Sequence, residues 1–241
     1  MSYLSNNLTA LAIIPGLLIL IYVYSKDKVE KEPLSLIVKL IFLGVISCLI
    51  AGFAESFTET FLPKYPGGSL PNALINSFVL AGFWEELLKY IMLRKGSWNS
   101  KYFNYRFDAI VYSVSVAVGF AIFENIMYVS QYGLETAVVR AFTAVPLHAF
   151  CGITMGVFYA YEKKSSIYGQ KFTSLKFKLL AFLIPLAVHG TYDTFAFLRT
   201  YYATYMLIAF VIVLYIIAVK TIKSLSAADR YSGFYSSVRY M

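Results

Sequence analysis

Two adjacent glutamates and a lysine, Glu85, Glu86 and Lys89 in "FWEELLKY" (residues 83–90), stand inside an otherwise apolar run. On a membrane-insertion scale, each ionisable group at mid-bilayer costs about 2.5–3.5 kcal/mol. Lys89 follows Glu85 by four residues and Glu86 by three, so one helical face can hold the cation against either carboxylate. Pairing offsets the cost of one glutamate and leaves the other. A structural ion pair needs a single acid, and two acids point to chemistry.

Further polar groups lie in other apolar runs. Glu124 and Asn125 occur in "GFAIFENIMY", and His148 in "AVPLHAFCG". His189 and Asp193, in "PLAVHGTYDTF", are spaced i, i+4 and so share a helical face. The chain has no other histidine. A lone buried His, Asn or Glu usually serves as hydrogen-bonding glue between helices, worth about 0.6 kcal/mol on average. Five buried ionisable groups cost on the order of 15 kcal/mol before pairing, which such glue does not offset. A functional site is the better reading.

Hydrolysis inside a membrane needs a water, a base to deprotonate it, and donors for the tetrahedral oxyanion. Glutamate supplies the base, and histidine can donate to the oxyanion or pass a proton to the leaving amine. No GxSxG elbow is present, and Cys48 and Cys151 sit in apolar segments as buried thiols with no activating neighbours, so a serine or cysteine nucleophile is disfavoured. HExxH is absent too. His148, His189 and a Glu do match the ligand types of a His₂-carboxylate zinc site. Without a tight ligand motif, a metal-free glutamate mechanism is favoured, with zinc as the alternative.

The elements that must position these groups are membrane helices. Hydrophobic residues make up 59% of the 241 residues and charged residues 14%, with a mean hydropathy of +0.65, which excludes a soluble globular domain. The reading is an all-α, polytopic membrane protein of about seven transmembrane helices. They are expected at 8–25, 34–54, 70–94, 107–129, 137–161, 178–198 and 203–220, in one integral-membrane domain covering 1–241. The first lacks a basic leader and a small-x-small cleavage site, so it reads as a span. Pro71 suits the first turn of the third. Glu55 and Glu59, before the turn "LPKYPGGS", read as an interfacial helix end.

The net charge of +8 does not describe a nucleic-acid face, because the charges lie between the apolar runs. Sixteen of the 21 basic residues fall on alternate connections: Lys26, Lys28 and Lys31; Arg94, Lys95, Lys101 and Arg106; Lys163, Lys164, Lys171, Lys176 and Lys178; and Lys220, Lys223, Arg230 and Arg239. Lys64, Arg140 and Arg199 lie on the other side. The positive-inside rule then places the N-terminus outside and the C-terminus in the cytoplasm of a multi-pass cell-membrane protein. Lys39 can snorkel to the headgroups. The tail "DRYSGFYSSVRYM" reads as an interfacial anchor. On a rise of about 1.5 Å per residue, Glu85, His148 and His189 fall about 14–16 Å from the inner boundary, and Glu124 and Asp193 at about 22–25 Å. All of them can share one cavity.

These motifs resemble the PrsW family of intramembrane proteases, distantly similar to the type II CAAX prenyl endopeptidases. The resemblance rests on "EELLK" (Glu85, Glu86, Lys89), "FAIFEN" (Glu124, Asn125), His148 after Arg140, and "HGTYD" (His189, Asp193), in order over residues 83–193. It implies a glutamate-dependent protease that makes the first (site-1) cut in a membrane-bound anti-sigma factor or similar single-span substrate. In the CAAX relatives the second motif is FxxxH and the last ends in Asn, where this chain has Glu124 and Asp193. The implied roles are water activation by Glu85 or Glu86, tuning by Lys89, assistance from Glu124 and His148 with Asn125 in support, and oxyanion stabilisation or substrate orientation by His189 and Asp193. The rivals are a proton-coupled transporter and a noncatalytic membrane scaffold. Against the transporter, no repeated halves and no paired Gly/Pro-broken helices are visible.

Overall fold

The structure, a computed structural model, describes residues 2–231, with side chains from Thr9 onward. Among the described residues all regular elements are helices, joined by short connections, with one isolated bridge between Tyr105 and Tyr231. The elements are α1 (Ser2–Lys26), α2 (Leu34–Glu59), α3 (Leu70–Leu74), a π-helical segment (Ile75–Gly82), α4 (Phe83–Ser97), α5 (Arg106–Tyr132), α6 (Leu134–Phe142), α7 (Ala144–Ile167), α8 (Lys171–Leu198) and α9 (Tyr201–Ala227). Six stretches are long and apolar enough to cross a membrane: 9–26, 34–59, 106–132, 134–167, 171–198 and 201–227. The expected third of seven spans, which carries the two glutamates, corresponds to the run from α3 through α4, which is not among these six. Most of the interfacial tail lies outside the described residues.

At the centre stands α5. Its residues from Phe107 to Ala121 are buried all round, as expected of a hydrophobic helix enclosed by others. It packs on α1, α2 and α7, and α7 packs in turn on α8. The outer faces of α2, α8 and α9 expose large apolar side chains such as Phe42, Phe53, Leu183, Ile208 and Ile212. In a bilayer those faces meet lipid. Cys48 and Cys151 are buried and unpaired, as the sequence reading expected.

Helix termini follow local chemistry. Ser69 caps the α3–α4 run by accepting from the Asn72 amide at 3.4 Å, with Pro71 in the first turn, where no N–H is needed. At the start of α5, Asp108 Oδ2 accepts from the amides of Asn104 (2.9 Å) and Tyr105 (2.7 Å). After α5 the chain turns at Gly133, whose φ of +80° is open to glycine at little cost.

Three expectations need correction. The expected single helix at 137–161 is divided at Thr143, which has φ −123° and ψ −70°. Pro146, three residues into α7, has no N–H to bond back to Phe142, so the helical ladder restarts there. Second, α2 runs on to Glu59 rather than ending at 54, so that half-buried Glu55 and exposed Glu59, on its last turns, border a cavity. Third, the Lys39 ammonium donates to the Gly96 carbonyl at 3.3 Å, fastening α2 to the end of α4 instead of reaching for headgroups.

Candidate active site

The helix carrying Glu85 and Glu86 enters the core through the π-helical segment, a widened turn often found beside functional sites. Next to it runs α8, at very close range. Gly190 lies against the Phe78 ring, and a Cβ at Gly190 would overlap that ring. A glycine at this position therefore lets His189, its neighbour in sequence, reach the two glutamates.

Lys89 lies at the centre of the cluster. Its ammonium donates to Glu86 Oε1 at 2.8 Å, Glu85 Oε2 at 3.1 Å and His148 Nδ1 at 3.0 Å, and it stands 3.9 Å from the centre of the Phe120 ring. Glu85, Glu86, Lys89, His148 and His189 are all buried. The sequence spacing suggested that Lys89 could serve either glutamate. It holds both.

An ammonium can only donate, so His148 Nδ1 accepts and the ring proton sits on Nε2. Nε2 donates to Glu124 Oε2 at 2.9 Å. The same oxygen accepts from Arg140 Nη2 at 2.6 Å, and Arg140 Nε donates to Asn125 Oδ1 at 2.9 Å. Asn125 Nδ2 donates in turn to the Ala12 carbonyl at 3.0 Å, tying the network to α1. His189 is held from both sides. Its Nδ1 lies 2.8 Å from Glu86 Oε1, and its Nε2 lies 3.3 Å from Asp193 Oδ2 and 3.8 Å from Glu85 Oε2. The two imidazoles meet edge to face, with centroids 5.1 Å apart.

A cavity of about 520 Å³ opens onto this cluster, within the usual range for ligand sites. Glu85, Glu124, His148, His189 and Asp193 line it, whereas Glu86 and Lys89 lie behind them. All six acidic and histidine residues expected from the sequence thus meet in one place, with Lys89 and Asn125 in supporting contacts. Arg140, Glu55, Glu59 and Arg199 line the same cavity and are not among the site residues expected from the sequence. Arg140 had a signal: it is one of few basic residues on its side of the chain and precedes His148 in the motif order.

The donor set fits a divalent cation. Glu85, Glu86, His148 and His189 each offer one ligand atom, all within 4.8 Å of one another. Glu86 Oε2 is buried with no hydrogen-bond partner. Glu85 Oε2, Glu86 Oε1 and His148 Nδ1 already converge on one cation, the ammonium of Lys89. The Glu124 carboxylate on the far side of His148 has the place of a carboxylate that orients a metal-binding imidazole.

Comparison with known proteins gives a consistent family. Residues 32–219 match the PrsW-protease family, described as "PrsW family intramembrane metalloprotease". The chain is 35% identical to Protease PrsW of Bacillus subtilis over 181 residues, covering 75% of this chain and 78% of that one. It is 33% identical to Protease PrsW of Clostridioides difficile over 213 residues, 87% of each. With Protease PrsW of Halalkalibacterium halodurans it shares 29% identity over 224 residues, 93% of this chain and 99% of the relative. No solved structure matches the chain.

Proposed function

Because the chain belongs to the PrsW family of intramembrane metalloproteases and is a multi-pass protein of the cell membrane, we propose that it is an endopeptidase in which Glu85 is the general base, acting on single-span membrane proteins. One observation carries this reading. Of the two adjacent glutamates, Glu85 alone lines the cavity, and Glu86 stands behind it bonded to Lys89 and His189.

In the proposed reaction Glu85 takes a proton from a water in the cavity as the water oxygen bonds to the scissile carbonyl carbon. Negative charge then develops on the carbonyl oxygen. His189 is the donor best placed to meet it, since its Nε2 has only the looser contacts to Asp193 and Glu85 while Nδ1 stays fixed on Glu86. The carbon–nitrogen bond breaks as Glu85 returns the proton to the leaving amine. Glu124 and Arg140 hold His148 in one tautomer and orientation. Lys89 balances the charge of the glutamate pair throughout.

A divalent ion would be held by Glu86, His148 and His189 in place of the Lys89 ammonium on His148 Nδ1, leaving Glu85 free as base, and would take over from His189 the stabilisation of the carbonyl oxygen. Bound there, zinc would supply Lewis acidity for the water and the carbonyl. The substrate proposed is an anti-sigma factor or a similar single-span protein, cut at its first site, and the motif resemblance supports this choice. The test is co-reconstitution of the purified protein with a tagged single-span substrate, run beside proton-driven uptake into proteoliposomes that hold the protein alone. Cleavage without uptake is expected. Uptake without cleavage would replace the protease with a transporter, and neither activity would indicate a scaffold.

A further inference from the structure

A second cluster of acids lies far from the cavity, where the α1–α2 connection meets the start of α5 and the end of α9. Asp27, Glu32 and Asp108 are all buried there, and one carboxylate oxygen from each lies within 4.8 Å of the others. Buried acids alone do not make a site. The second observation is Asp27 itself: it is 1% exposed, and neither of its carboxylate oxygens has a hydrogen-bond partner.

The surrounding groups show the same deficit. Asp108 Oδ2 is held by the amides of Asn104 and Tyr105, while its Oδ1 is buried without a partner. Glu32 Oε2 accepts from the Tyr112 hydroxyl at 2.6 Å. Asn104 Oδ1 and Asp229 Oδ2, on the flanking segments, are buried acceptors that also lack a donor. Among the described residues, seven buried side-chain polar atoms have no partner, and five of them are these: both oxygens of Asp27 and one each from Asn104, Asp108 and Asp229. All five are oxygens. Neither oxygen of Asp27 faces a donor, and a cation between the acids would satisfy it together with Asp108 Oδ1.

The nearby Lys31 does not supply that cation, because its exposed side chain donates to the Tyr24 carbonyl and covers the Tyr24 ring. Leaving the acids ionised and unpaired is costly, and a bound cation removes that cost.

We propose that Asp27, Glu32 and Asp108 form a second site, for a hard divalent cation such as Mg²⁺ or Ca²⁺. The donors are all oxygen, which selects these ions over zinc or copper. Oxygens on opposite sides of such an ion are about 4–5 Å apart, the scale of the observed cluster. Asp229 extends the site toward the end of α9, since its Oδ1 already accepts from the Phe107 amide at 3.1 Å. The ion clamps the α1–α2 connection and the end of α9 onto α5, the helix that carries Glu124. This site is independent of the protease reading.

The experiment uses full-length protein in detergent, freed of metals and titrated with Tb³⁺, whose emission Tyr112 can sensitise from beside Glu32. Saturable emission is expected, displaced by Ca²⁺ or by Mg²⁺, and the displacing ion identifies the occupant. His148→Ala should leave the emission unchanged, which separates this site from the cavity. Asp27→Asn should weaken binding by about tenfold or more. In parallel, the displacing ion at about 100-fold above its Kd should raise the Tm of the wild-type protein by about 5 °C or more. Asp27→Asn, relieved of a buried unpaired charge, should fold with an equal or higher Tm without cation and show at most about half of the wild-type increment at the same cation concentration. No emission and no Tm increment in the wild type, or responses unchanged by Asp27→Asn, would overturn the proposal.

Discussion

His148 Nε2 donates to Glu124 Oε2 at 2.9 Å, joining α7 to α5 across the wall of the cavity. Arg140 fixes the same carboxylate oxygen, so the imidazole is held in one tautomer and one orientation. Glu124→Gln keeps an acceptor for the imidazole but loses the ion pair with Arg140. Such an outer partner typically contributes 10–100-fold to activity, so kcat should fall by about that much with KM nearly unchanged. Steady-state cleavage kinetics on a single-span substrate separate the two parameters. A fall confined to KM would mean that Glu124 contacts substrate instead.

Lys89 is 1% exposed and serves two carboxylates and an imidazole at once. Lys89→Met leaves two buried acids side by side with no counter-charge. Removing one partner of a buried pair costs about 3–5 kcal/mol, so this variant should lose a large part of its stability in detergent unfolding. Adding Glu86→Gln should recover much of the loss. Equal stability of the single and double variants would show that the pair is not coupled.

Much of this site was legible in the sequence because ionisable residues stand out against an apolar background. The runs around Glu85, Glu124, His148 and His189 implied helices, and the energetic cost of the charges implied that they meet. Which glutamate faces the cavity was not legible. Neighbouring residues on a helix point about 100° apart, and only the packing of α8 against the π-helical segment decides between them. Arg140 was missed because the break at Thr143 turns α6 back toward Glu124, and hydropathy reads 134–167 as one run. Glu55 was missed because the extra turn of α2 depends on its neighbours. In the second cluster Asp108 lies far along the chain from Asp27 and Glu32, and no local spacing announces that they meet.

Metal dependence has its own outcome. The proposed ligands Glu86, His148 and His189 predict that a strong chelator abolishes cleavage and that added zinc restores it. Metal analysis of active protein should find about one zinc per chain, lost in His148→Ala. Undiminished cleavage after exhaustive chelation, in protein shown to be free of zinc, would leave Glu85 acting without a metal.

Orientation is testable with cysteine probes, because both native cysteines are buried. The positive-inside rule predicts that impermeant reagents label Gly67→Cys and Gln131→Cys from outside intact cells and leave Gln170→Cys unlabelled. All three positions are exposed, so access depends only on the side of the membrane. Labelling of Gln170→Cys from outside would invert the topology.

The most direct measurement compares Glu85→Gln with the wild type in the co-reconstituted cleavage assay. Glutamine keeps the shape of the side chain and its contact with Lys89 but cannot take a proton from water. Cleavage should fall by about 100-fold or more, the scale of a lost general base, while membrane insertion and Tm stay close to wild type. Near wild-type cleavage by a correctly inserted Glu85→Gln protein would contradict the account.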